Sequence, residues 1–153
     1  MRRASLIAVL LAATLGGACN SNDNLQYFDA ILSPDNEVPA RASGASGVAR
    51  LTFDGTTVTI IVLGSNLNNY TQGHIHSGAA GVNGPVRVFL YGLAAPQSIT
   101  QGTLVEGSFT AANVTGIEFS ALIEEMRAGT AYVNFHTSLY PGGEIRGQVR
   151  LLN

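Results

Sequence analysis

The chain has 153 residues, 46% of them hydrophobic and only 12% charged, with a formal net charge of −2. All eight of its basic residues are arginine and its single cysteine is Cys19, so no disulfide can form within it. Without a basic excess, nucleic acid is excluded as a partner, because phosphate recognition needs a basic patch.

Arg2 and Arg3 precede an apolar run from Ala4 to Leu15, too short for a stable membrane span, and Gly16, Gly17 and Ala18 lead to Cys19. This pattern predicts an export signal over residues 1–18. Gly16-x-Ala18 suits ordinary signal cleavage, and Gly17-Ala18-Cys19 resembles the bacterial lipoprotein box, with Gly16 where that box usually has leucine. Both readings cut before Cys19, and the lipoprotein reading is preferred because the only cysteine sits at the junction. It implies a lipidated Cys19 with a polar tether over residues 19–26 and a single domain over residues 27–153. The expected setting is the bacterial cell envelope. Asn20, in place of a retention aspartate, points to the outer membrane, facing the periplasm or the surface.

Short β-branched and apolar runs separated by Gly, Pro, Asn and Asp follow, the pattern of a sandwich or barrel. Strands are predicted at Tyr27–Leu32, Val48–Phe53, Thr57–Leu63, Gln72–His76, Val86–Tyr91, Thr103–Thr110, Ala131–His136 and Glu144–Leu151. Asp54-Gly55 predicts a two-residue hairpin turn. Between Thr115 and Gly129, Phe119, Leu122, Ile123 and Met126 recur at helical spacing behind a Thr115-x-x-Glu118 capping box, predicting one short helix over an edge or end of the sheets.

Strand alternation sets where the three histidines point. In Ala131–His136 the apolar Ala131, Val133 and Phe135 take the core side, leaving His136 with Tyr132 and Asn134 on the other. His74 and His76 likewise oppose Gly73 and Ile75. Glu144, Arg146, Gln148 and Arg150 oppose Ile145, Val149 and Leu151. A polar layer on the outer face of one sheet is the expectation. His-x-His places two imidazoles about 7 Å apart on one side of a strand, from which both can reach one ion. Separate hydrogen-bonding histidines are the plainer alternative. A shared site would hold one copper or zinc ion on His74, His76 and His136, with Asn134, Glu144 and Arg146 beside it, and would lose it as pH falls through the imidazole range near 6.5.

The segments "ILSPDNEVPARASGASGVARLTF", "GHIHSGAAGVNGPVRVFLYG" and "AYVNFHTSLYPGGEIRGQVR" resemble, in order, the three signature blocks of the CHRD domain, first described in the extracellular antagonist chordin and widespread in exported bacterial proteins. The resemblance implies an all-β domain outside the cytoplasm more firmly than it implies an activity. A fainter resemblance to copper,zinc superoxide dismutase implies a Greek-key β-sandwich, superoxide dismutase-like or immunoglobulin-like, with His74, His76 and His136 as copper ligands and Arg146 guiding an anion. The bridging histidine, the zinc ligands and the disulfide of that family have no counterparts here.

Three functions follow: a metal-binding envelope lipoprotein, a protein-interaction module with a partner in the envelope, and a redox enzyme, ranked last because the bridging histidine is missing. No catalytic residue is assigned. Glu124 and Glu125 are adjacent on the helix and do not face each other. Asn36-Glu37-Val38-Pro39 reads as a fixed turn with Glu37 paired to an arginine, and "SGASG" at 43–47 lacks the Lys-Ser/Thr of a phosphate loop.

Overall fold

The computed structural model describes residues 25–152; the expected signal, Cys19 and most of the tether lie outside them. The fold is all-β with one short helix, as expected: β1 (Gln26–Leu32), β2 (Ser46–Phe53), β3 (Val58–Ser77), β4 (Val86–Phe109), α1 (Phe119–Arg127), β5 (Ala131–Thr137), β6 (Ile145–Gln148) and β7 (Arg150–Leu152). All pairings between the strands are antiparallel. They run in the order β6-β5-β3-β2-β1-β7, with β4 along the other edge of β3.

Two strands are far longer than the sequence runs predicted. The predicted strands at Thr57–Leu63 and Gln72–His76 are parts of β3, and those at Val86–Tyr91 and Thr103–Thr110 are parts of β4. Of the residues that read as breaks, Asn68, Asn69, Gly73 and Pro96 fall at register shifts of a continuous β3–β4 ladder, where bulges absorb them, and Gly64 pairs in register with Gly102. β3 therefore serves two groups of strands: its first half pairs with β2 and its second with β5. The predicted last strand divides at Val149 into β6 and β7. Leu151, expected inward, is 40% exposed.

Two local signals resolve differently from the sequence reading. The Asp54-Gly55 loop spans four residues, because Phe53 pairs with Val58 and Asp54 Oδ1 accepts from the amides of Thr56 and Thr57 at 2.8 Å each. The Thr115-x-x-Glu118 box does not cap α1. Glu118 is the N-cap, and Thr115 instead bonds β4, its amide donating to Arg87 O at 2.9 Å. Leu122, Ile123 and Met126 of α1 are buried in the core, as their spacing predicted.

The sheet rolls until its ends meet. Beyond β1, the Ser33 amide donates to Arg146 O at 3.0 Å and the Arg146 amide to Ser33 O at 3.2 Å, making a bridge from β1 to β6. A Cβ at Gly147 would stand 2.6 Å from Ile31 O, so only glycine permits this approach. The inward residues Phe28, Leu32, Leu51, Ile60, Val62, Ile75, Val133 and Phe135 fill the interior. Among the described residues no helix is long and apolar enough to cross a membrane.

Candidate metal centre

β3, β5 and β6 lie side by side, and their register sets the site. His74 pairs with Asn134 and His76 with Tyr132 across β3 and β5, while Arg146 pairs with Asn134 across β5 and β6. Because alternate side chains share a face, His74, His76, Tyr132, Asn134, His136, Arg146 and Gln148 all stand on the side opposite Ile75, Val133 and Phe135. The grouping predicted from alternation is therefore present.

Its environment departs from the expected outer surface. His74, His76 and His136 are 4%, 8% and 7% exposed, and Asn134 and Arg146 are buried too. The connections before and after these strands fold over the polar face and bond to it. His76 Nδ1 donates to Gly84 O at 2.9 Å in the 78–85 loop, and His136 Nδ1 to Pro141 O at 2.8 Å in the 138–144 loop. Arg146 donates to Ala79 O, Val82 O and Asn83 Oδ1 at 3.0, 2.8 and 3.2 Å. Gln148 Nε2 reaches Gly78 O, Gly129 O and Ala131 O. Asn83 Nδ2 ties the 78–85 loop to Val38 O at 2.9 Å.

Those carbonyl bonds fix tautomers. With Nδ1–H of His76 and His136 held by carbonyls, the lone pair of each lies on Nε2. His74 Nδ1 stands 3.0 Å from His136 Nε2 and donates to it, leaving His74 Nε2 bare. His74 Nε2 and His76 Nε2 are buried without a hydrogen-bond partner among the described residues. One ring nitrogen from each histidine lies within 4.8 Å of the others. Around a tetrahedral ion with bonds of about 2.1 Å the donors sit roughly 3.4 Å apart, so the widest pair must draw in to share one. Backing of a ligand imidazole by a carbonyl on its other nitrogen is the usual support of a metal-binding histidine. The donor set could hold one metal ion.

The electrostatics keep the donors uncharged. Burial lowers His74 to about 4, helped by repulsion from His136 and His76. Burial also pulls His76 and His136 below the ordinary imidazole value, against the carbonyls of Gly84 and Pro141, which favour the charged form. Neutral imidazoles are the form that binds metal. Packing holds the rings in place: His76 stacks on Tyr132 at 4.7 Å and 8°, the Arg146 guanidinium lies 3.4 Å over the same tyrosine, and Phe89 meets His74 edge-on at 4.5 Å.

The residues expected beside the site divide in role. The side-chain oxygen Oδ1 of Asn134 lies 3.2 Å from His136 Nε2. Glu144 does not join the histidines; its oxygens accept from Ser43 and Thr137, each at 2.5 Å. Arg146, expected to guide an anion, is 1% exposed with its terminal nitrogens bonded to loop oxygens, so it clamps the 78–85 loop instead. Glu37 is the residue that sequence reasoning undervalued. It is 5% exposed, its Oε1 has no partner, and burial raises its carboxyl to about 7 despite the nearby Arg146 and Arg41. A Cβ on Gly143 would fall 2.5 Å from that oxygen. The Asn-Glu-Val-Pro turn is thus a buried part of the loop layer covering the histidines.

Comparison with known families matches the CHRD domain over residues 28–149. No curated protein and no solved structure matches the chain.

Proposed function

The chain belongs to the CHRD-domain family, and from that premise we propose that it is an exported, lipid-anchored envelope module that holds one copper or zinc ion on His74, His76 and His136. One observation carries the reading: three neutral imidazoles meet in a buried cluster in which two ring nitrogens lack any partner among the described residues. Burying unpaired nitrogen costs free energy, and an ion bound by the histidines would offset part of that cost. Three imidazoles favour Cu(II) over Zn(II). The export signal expected over residues 1–18 supports the envelope setting, as does the occurrence of this family in exported proteins. A superoxide dismutase-type enzyme is disfavoured by the buried, loop-bonded Arg146, which is not free to steer an anion.

Calorimetric titration of the tag-free mature domain with Cu(II) and Zn(II) tests this. The expected result is one saturable site, tighter for copper, lost in large part by each single substitution His74→Ala, His76→Ala and His136→Ala. Because burial depresses all three imidazoles, proton competition begins below the ordinary value of about 6.5, and binding should persist into mildly acid solution. Uptake that is non-stoichiometric and indifferent to all three substitutions would instead support a metal-free interaction module.

A further inference from the structure

β3 changes partners midway, and the change leaves a notch in the sheet. One edge pairs with β2 as far as Ser65↔Ser46 and with β5 from Tyr70↔Thr137, so residues 66–69 have no strand beside them there. Asn66 and Asn69 hold left-handed backbone at φ 54° and 53°, and the β3–β4 register shifts between Leu67 and Tyr70. Asparagine is among the few non-glycine residues that adopt this conformation readily, and bulged segments re-aim side chains beside binding sites. Here Leu67 and Tyr70 are buried while Asn66, Asn68 and Asn69 face outward.

The notch is a cavity of about 360 Å³ whose opposite walls include Ser43, Leu139 and Tyr140. Among the described residues its lining holds no basic side chain and one carboxylate, that of Glu144. Glu144 at its base has both oxygens occupied by hydroxyls. Nearby, Arg41 lies over the Tyr140 ring at 5.5 Å and bonds Gly143 O. The side-chain amides of Asn68 and Asn69 have no partner among the described residues; Asn69 bonds only through its backbone, to Ser98 and Ser138. The Tyr140 hydroxyl donates to Ala42 O at 2.9 Å and keeps its lone pairs. Leu139, 75% exposed, supplies an apolar wall. Free amides, a phenol and an apolar flank, with no basic side chain in the lining to hold an anion, suit a neutral, hydroxyl-rich ligand, and the volume lies within the range of small-molecule sites, from about 300 Å³ upward.

We propose that this notch between β2 and β5 binds a neutral saccharide, with Asn68 and Asn69 as its hydrogen-bonding side chains and Leu139 and Tyr140 as its wall. The site is separate from the histidines, and the proposal does not depend on metal binding. The test is a titration of the isotope-labelled mature domain with cellohexaose, maltohexaose and chitohexaose, read by amide chemical shifts, with polygalacturonate as the charged comparison. At least one neutral hexasaccharide should saturate shifts at residues 66–69 and 138–140. Asn68→Ala combined with Asn69→Gly keeps the left-handed backbone and removes both amides; binding should weaken about tenfold or more, as expected for two lost neutral hydrogen bonds. Leu139→Ser, at an exposed position, should weaken binding in a folded protein. No saturable shift with any of the three, preferential binding of polygalacturonate, or unchanged binding in both variants would overturn the proposal.

Discussion

His74 and Glu37 face opposite titration problems in the same layer, and together they set the acid behaviour of the metal-free protein. The His74 value falls from 6.5 to about 4, so between these values the unfolded chain binds a proton that the folded chain refuses. Its contribution is present above 6.5 and is lost as pH falls toward 4. Glu37 rises from 4.5 to about 7, so the folded chain keeps a proton that the unfolded chain releases. Its contribution is present below 4.5 and is lost as pH rises toward 7. Each shift corresponds to about 3 kcal/mol at most, and the two oppose each other across the same window. His76 and His136 are lowered in the same direction as His74, so the metal-free protein should lose stability to chemical denaturation as pH falls from 6.5 to 4.5, with Glu37 offsetting only part of the loss. Glu37→Gln removes one side of the balance, so its stability should fall more steeply than that of the wild type as pH drops through this window. Parallel curves for the two proteins would contradict the buried, protonated Glu37.

At the level of elements, alternation identified the side chains that share a face but not the lengths of the strands or what covers them. His74, His76, Asn134, His136 and Arg146 were grouped correctly because a two-residue period survives within any short run. Continuity of β3 through Gly64, Asn66 and Asn69 was not legible, since those residues ordinarily end strands; here Gly64 pairs in register with Gly102, Asn66 lies between the paired Ser65 and Leu67, and Asn69 sits at a register shift opposite β4. Burial of the polar face was illegible for a related reason: the covering segments, 33–45, 78–85 and 138–144, meet over it only after the sheet rolls up. That closure rests on the approach of Gly147 to Ile31. Gly147→Ala should destabilise by about 1–3 kcal/mol, the usual range for overpacking, seen as a lower midpoint in thermal unfolding. Gly107→Ala, where a Cβ meets nothing within 4 Å, is the matched control and should leave the midpoint close to wild type. Equal midpoints for the two variants would contradict the tight β1–β6 contact.

In the whole molecule, an all-β barrel-like sheet buries one face as apolar core and hides a second, polar layer under three mutually bonded loops. Arg41 joins the first of these loops to the third through Gly143 O, and Asn83 joins the second to the first through Val38 O. Polar groups left unpaired inside such a layer are costly, and among the described residues His74 Nε2, His76 Nε2 and Glu37 Oε1 are so placed. An ion held by the histidines would offset part of that cost and would link metal binding to the order of the loops. The envelope setting has its own test: Cys19→Ala should move the protein from the membrane fraction to the soluble fraction or leave it unprocessed, whereas unchanged fractionation would remove the lipid anchor from the account. The most direct test of the central claim is pulsed electron paramagnetic resonance of the Cu(II)-loaded mature domain, which counts the imidazoles bound to the ion. The account predicts coupling to three imidazoles, reduced to two in His136→Ala; a spectrum with no more than one imidazole, unchanged by that substitution, would contradict it.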